Sequence, residues 1–234
     1  GALVERGKKV AVLCVDPSSP FNLGAVLGDR IRMSRWYTHP SVFIRSLATR
    51  GSMGGLHPRI LELTDVLRAA GFDYVLVETV GVGQSEIEIA GLADTTVVVL
   101  VPEAGDEVQT MKAGLMEIAD IFVVNKADRP DAAAFLKNLR LMLAPAFSHK
   151  QHEIPVLSTV AQEGKGIPEL AAAIEADLAH PRARARKLWL LAEKAFQLIQ
   201  QERMRDLSSA QLRAEIEKIP GEEFRLYRFV ENYF

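Results

Sequence analysis

One cysteine, Cys14, stands in a chain of 234 residues. A lone cysteine allows neither an internal disulfide nor a thiolate metal cluster, which points to a reducing compartment. An excess of charge of one sign is missing as well: 28 Lys and Arg against 30 Asp and Glu leave −2 at pH 7. That balance gives no bulk attraction to nucleic acid or to anionic lipid, so neither is an expected partner. Long apolar runs are also absent. The longest, around Val97 to Val101, is strand-sized and far short of the roughly 20 residues that span a bilayer. His39, His57, His149, His152 and His180 are scattered, a pattern that suits solvated loops better than a metal site. No internal repeat or low-complexity tract is present.

What the chain does have is an ordinary globular balance, 48% apolar and 25% charged, enough for a sizeable core. Short β-branched runs recur at Val10 to Val15, Tyr74 to Val77, Thr96 to Val101, Ile121 to Val124 and Pro155 to Leu157. Each is apolar on both faces and is followed by polar or glycine-rich residues, as in parallel strands covered on both sides. Between them lie helical faces, Ile60, Leu63, Val66 and Leu67 in one and Phe135, Leu139 and Leu143 in another. Gly71 stands where a helix C-cap glycine would. The alternation predicts an α/β fold, a doubly wound, mainly parallel sheet over residues 1–181. From residue 182 to 234 no strand signal remains. A basic run, two helical stretches and a terminal cluster of aromatics read as a helical arm, with Ser208 or Ser209 as an N-cap and Pro220-Gly221 as a breaker.

Three motifs follow strands. Asn125-Lys126-Ala127-Asp128 comes directly after Ile121 to Val124, at the strand end where such sheets bind ligands. Guanine offers donors at N1 and the 2-amino group, and the Asp128 carboxylate can accept both at once. Adenine lacks the 2-amino donor and is rejected. In this reading Asn125 supports the purine edge and the Lys126 stem lies on the base plane. The second motif is Glu78-Thr79-Val80-Gly81-Val82-Gly83-Gln84. Glu78 suits a Mg²⁺ ligand or its outer partner, and Gly81 lets a backbone amide approach a terminal phosphate. The third is Asp16-Pro17-Ser18-Ser19-Pro20 with Asp29 beyond it. By itself this is a turn signal; together with Glu78, the two acids supply hard oxygen donors for Mg²⁺.

With these residues in view, the stretches VDPSSP, GDRIRM, FIRSLATRGSMGG, VETVGVGQSE, GDEVQTMK and IADIFVVNKAD resemble the MeaB/ArgK family. These are methylmalonyl-CoA mutase-associated GTPases, formerly described as lysine/arginine/ornithine transport kinases. The resemblance implies a P-loop NTPase of the signal-recognition/MinD/MeaB class, using GTP and Mg²⁺ and yielding GDP. It implies a G-protein chaperone for an adenosylcobalamin-dependent acyl-CoA mutase and a homodimer formed through the C-terminal arm. The expected compartment is the bacterial cytoplasm, or the mitochondrial matrix in a eukaryote. Carried over residue by residue, Asp16, Glu78 and Gly81 serve the phosphate chemistry, and Asp16, Asp29 and Glu78 serve the metal. Asn125, Lys126 and Asp128 read the base, joined by the loop Ser158-Thr159-Val160. Asp106, Gln109 and Lys112, within Gly105 to Lys112, correspond to a switch that couples nucleotide state to the mutase.

In many GTPases a water-orienting glutamine follows the phosphate-sensing glycine; here that position is Val82, and Gln84 is displaced. Two departures from the family pattern stand out. The family's fifth guanine-binding element is usually a Ser-Ala type loop, where this chain has Ser158-Thr159-Val160. The chain also lacks a loop ending in Gly-Lys-Ser/Thr. Gly164-Lys165-Gly166 invites comparison but has neither the hydroxyl nor the preceding glycine spacing. Such a loop and its central strand are therefore expected in an N-terminal segment beyond these 234 residues, giving an intact mass above theirs. The other readings to be weighed are a kinase or ATPase of a basic amino-acid transport system, a nickel-insertion GTPase, and a nucleotide-binding scaffold without turnover.

Overall fold

The computed structural model describes residues 1–16, 33–49, 56–57, 59–79, 86–104, 118–149, 154–179, 188, 191–192, 195–196, 198–200, 202–221 and 223–233. Two compact units are present, Gly1–Lys187 and Leu188–Phe234.

The first unit is built on parallel strands. After a short helix, α1 (Ala2–Glu5), come β1 (Val10–Asp16), β2 (Val42–Ala48), α2 (Ile60–Ala69), β3 (Tyr74–Glu78), α3 (Glu86–Leu92) and β4 (Val97–Leu100). Then follow β5 (Ile121–Val124), α4 (Ala132–His149), β6 (Val156–Ser158) and α5 (Ile167–Leu178). Among the described residues the strands form two three-stranded sheets, ordered β2-β1-β3 and β4-β5-β6, with every pairing parallel. No described strand pairs with both β3 and β4, so each leaves one edge open among the described residues. Those two edges leave apolar side chains open, Leu76 43% exposed and Val99 58%.

Each sheet has its own core. In the first, Ala11, Leu13 and Val15 of β1 pack with Leu47, Leu56 and the α2 residues Ile60 and Leu67. In the second, Phe122 and Val124 pack with Phe135, Leu139 and Leu143 of α4 and Val156 of β6, while α5 lies against β5 as well. All four β5 residues are buried, as its continuous apolar run requires. Cys14 is fully buried in β1 and behaves as a small hydrophobe.

Helix α2 ends as its glycine predicts. Gly71 takes φ +79°, its N–H donates to Arg68 O, and Phe72 N–H donates to Leu67 O. This pair of bonds is a Schellman closure, and Phe72 and Leu67 both join the core. Val66, expected on the buried face, is instead 64% exposed. At ~100° per residue it is rotated well away from Leu67 and Ile60. Strand β2 was not among the expected runs. Among the described residues it pairs on one side only, so it tolerates an exposed Phe43 and the polar Arg45 and Ser46 within it, which hides the apolar signal.

Helix α5 ties the two sheets together at one rim. The Tyr74 hydroxyl, at the start of β3, donates to Glu175 (3.3 Å), and the Thr95 hydroxyl, just before β4, donates to Asp177 (2.7 Å).

In the second unit, residues 188, 191–192, 195–196 and 198–200 are helical. Two further helices are α6 (Ser209–Ile216) and α7 (Leu226–Val230). Ser208 is the N-cap of α6 and forms a reciprocal capping box with Gln211. The helix stops at Ile216, before Pro220. Phe229 is buried against the rings of Phe224 and Tyr233.

Candidate nucleotide site

The C-terminal strand ends carry the polar residues singled out by sequence. At the first sheet, Cys14 pairs with Glu78 in register, so Asp16, two residues on from Cys14, leaves the sheet on the same face as Glu78. Glu78 is exposed, and one Asp16 carboxylate oxygen is enclosed by protein. Two hard oxygen donors on adjacent strand ends fit Mg²⁺, which takes few carboxylates and fills its octahedron with water and phosphate. Among the described residues, no three His, Cys, Asp or Glu side chains converge on one point. Asp29, Gly81, Asp106, Gln109 and Lys112 lie outside the described residues.

At the second sheet, Asn125, Lys126 and Asp128 come together around a cavity of ≈ 140 Å³ just past β5. The loop's shape follows from its bonds. Asn125 N–H donates back to Leu100 O of β4 (2.8 Å), and Lys126 then turns into the left-handed region at φ 58°. Arg129 N–H donates to Lys126 O (3.0 Å), closing the turn that presents Asp128. Lys126 is the one described residue with a side chain that adopts positive φ. That conformation costs roughly 1–2 kcal/mol for an L-residue with a Cβ and is a mark of a constrained functional loop.

The loop after β6 forms the opposite wall. Thr159 is buried; its N–H donates to Val124 O and its hydroxyl to Asn125 Oδ1 (3.1 Å). Asn125 Oδ1 also accepts the Ala161 N–H (3.1 Å). Val160 N–H donates to Lys165 O, and Ala127 N–H donates to Thr159 O. Of the predicted trio, only Val160 lines the cavity. Ser158 is exposed and Thr159 buried, neither on the cavity wall, and the N–H groups of Thr159, Val160 and Ala161 are all held by protein acceptors.

The residues that the motifs missed are Arg129, Ala161, Gln162 and Glu163, all on the cavity wall. Their signal was the Gly164-Lys165-Gly166 segment, read by sequence only as an incomplete phosphate loop. Both glycines have positive φ, +73° and +75°, and they reverse the chain so that Lys165 pairs with Val160. Lys165 Nζ also binds Glu163 Oε2 at 2.5 Å. That bond, the charge of Glu163 and, further off, the charge of Asp128 hold the Lys165 ammonium above the ordinary lysine range. On the far side, Arg129 Nε meets Glu103 Oε1 at 3.6 Å.

The Asp128 carboxylate and the Asn125 amide thus line one small cavity at the end of a parallel strand. The family model for the methylmalonyl-CoA mutase-associated GTPase MeaB matches residues 1–214. The chain belongs to this family. A relative from Pyrococcus abyssi is 56% identical over 172 residues, 71% of this chain and 52% of that one. The GTPase ArgK of Escherichia coli is 40% identical over 176 residues, 74% of this chain and 53% of the other. A mitochondrial methylmalonic aciduria type A homolog of Caenorhabditis elegans is 46% identical over 123 residues, 53% of this chain and 31% of its own length. The MeaB-family chain thus spans about half the length of the first two of these relatives.

Among solved structures, an LAO/AO transport system kinase superposes with a TM-score of 0.64 at 27% identity, covering 99% of this chain and 72% of that one. The hydrogenase maturation factor HypB of Archaeoglobus fulgidus, at 16% identity and a TM-score of 0.50, covers 75% of this chain and 78% of its own and shares the fold alone. No described helix is long and apolar enough to cross a membrane.

Proposed function

We propose that the protein is a Mg²⁺-dependent GTPase acting as a G-protein chaperone of an adenosylcobalamin-dependent acyl-CoA mutase. The observation that carries this reading is Asp128 on the wall of a small cavity just past β5, with Asn125 held from behind by Thr159 and Ala161. Asp128 accepts from guanine N1–H and the 2-amino group, and the Asn125 amide donates to the purine edge. The Lys126 stem covers the base plane. At the neighbouring sheet, Asp16 and Glu78 would hold Mg²⁺. The ion's chemistry there is to neutralise charge on the terminal phosphates. Glu78 and Asp16 bind and orient; Gly81 brings a backbone amide to the terminal phosphate.

The client is read from the family's description, and Asp106, Gln109 and Lys112 are the residues assigned to coupling. The arm, residues 182–234, is the proposed homodimer surface. Its exposed Leu188, Leu191, Phe196, Leu198 and Ile199 are an apolar set of the kind that a second copy covers. A cytoplasmic or mitochondrial-matrix location, without nucleic acid or membrane, completes the reading. The kinase reading draws on the likeness to the LAO/AO transport system kinase, but no residue here is assigned to an acceptor.

Asp128→Asn tests the core of the proposal. It replaces an acceptor pair by an acceptor and a donor, so preference should move from guanine to xanthine nucleotides. The guanine affinity should fall by about 2–3 kcal/mol, the value of a charge-assisted pair. Titration of GDP and XDP against both forms of the full-length protein is the measurement. A variant that keeps its guanine preference overturns the reading.

A further inference from the structure

The turn that presents Asp128 is held from both directions along the chain. Ahead of Asp128, Asn125 N–H donates to Leu100 O of β4 (2.8 Å), and Ala127 N–H donates to Thr159 O (3.0 Å). Behind it stands Arg129, on the cavity wall. The main chain of Arg129 is committed on both sides, its N–H to Lys126 O and its carbonyl to Ala132 N–H (3.1 Å). A pull on the side chain is therefore passed to the turn. That side chain forms an ion pair with Glu103, Nε to Oε1, at 3.6 Å. Glu103 belongs to the one-turn helix Pro102–Ala104 at the exit of β4 and does not line the cavity.

We infer that Glu103 is a positioning residue for Asp128, acting through Arg129, so that occupancy of the cavity is linked to the exit of β4. The 3.6 Å separation exceeds the ~2.7–2.9 Å of a charge-assisted hydrogen bond. Both side chains are about half exposed, and a pair of that kind is weak and readily made or broken. A movement of under about 1 Å in the turn decides whether the two groups share a hydrogen bond or only a loose contact. The linkage runs both ways: whatever the pair adds to nucleotide binding, bound nucleotide returns to the pair.

The inference rests on the guanine reading of Asp128, and the test separates the two. GDP and ADP are titrated at about 0.05 M and about 1 M salt against full-length wild type, Glu103→Gln, Arg129→Gln and the double variant. Hydrogen exchange at residues 101–104 is followed with and without GDP. Relative to wild type at the same salt, Glu103→Gln should weaken GDP about two- to fivefold at low salt and leave it unchanged at high salt, where the pair is screened. In the Arg129→Gln background the same substitution should change nothing. GDP should slow exchange at residues 101–104 in wild type, and less so in Glu103→Gln. Wild-type GDP affinity in Glu103→Gln at low salt, an equal loss with and without Arg129, or equal protection by GDP in both proteins overturns the inference while the guanine reading stands. A wild type that does not prefer GDP to ADP removes both.

Discussion

Lys126 holds a backbone conformation that its side chain disfavours, φ 58°, and the turn it makes is what presents Asp128. Glycine would adopt it freely, but would remove the stem proposed to cover the base. Lys126→Gly should therefore leave folding stability within about 1 kcal/mol of wild type, relief of strain being offset by a more flexible unfolded chain. Nucleotide affinity should fall by about 1–2 kcal/mol, the worth of the buried methylenes. Melting curves and GDP titration together check this, and unchanged affinity would remove Lys126 from the base. The place of Asn125 to Asp128 was legible in the sequence because the motif directly follows a continuous apolar run, and the structure sets it just past β5. Arg129, Ala161, Gln162 and Glu163 on the same wall were not, because nothing in their residue types marks them before the reversal at Gly164 and Gly166 brings them there.

The reversal from Ser158 to Gly166 is the element that shapes the far wall. A Cβ added at Gly166 would collide with Ser158 O, and the residue also has φ +75°. Neither the carbonyl nor the helix start at Ile167 can give way easily. Gly166→Ala should cost at least about 2 kcal/mol of stability, from strain and overpacking combined, read by chemical denaturation. Gly164, also at positive φ but with open space around its Cβ position, should tolerate Ala at a lower cost; equal effects would show that backbone conformation, not contact, governs the turn. Local chemistry made several elements readable in advance. The closure of α2 at Gly71 and the capping box at Ser208 are set by a few neighbouring residues. The strand β2 escaped notice because an edge position relaxes the demand for apolar residues, and Val66 was misplaced because three-residue steps drift round a helix.

At the scale of the molecule, β1 and β5 are paired on both flanks, whereas β3 and β4 are each paired on one among the described residues. In a chain of these 234 residues, amides of β1 and β5 should exchange with solvent more slowly than those of β3 and β4. Hydrogen-exchange mass spectrometry measures this directly, and equal protection would mean that the open edges are covered in solution. The alternation of strands and helices made the layered class legible, since both faces of each strand had to be apolar. Which strands neighbour one another was not, because pairing is fixed by tertiary contacts rather than by local pattern.

The bonds from Tyr74 and Thr95 to a single helix give the two sheets a common spine. Glu175 and Asp177 stand two residues apart on α5 and fasten the sheets where β3 and β4 begin. Asp16, Glu78 and the loop after β5 all sit at the opposite, C-terminal ends of the strands. With both fastenings along one margin, any change in spacing between the sheets would be felt most at the other, where the nucleotide is proposed to bind.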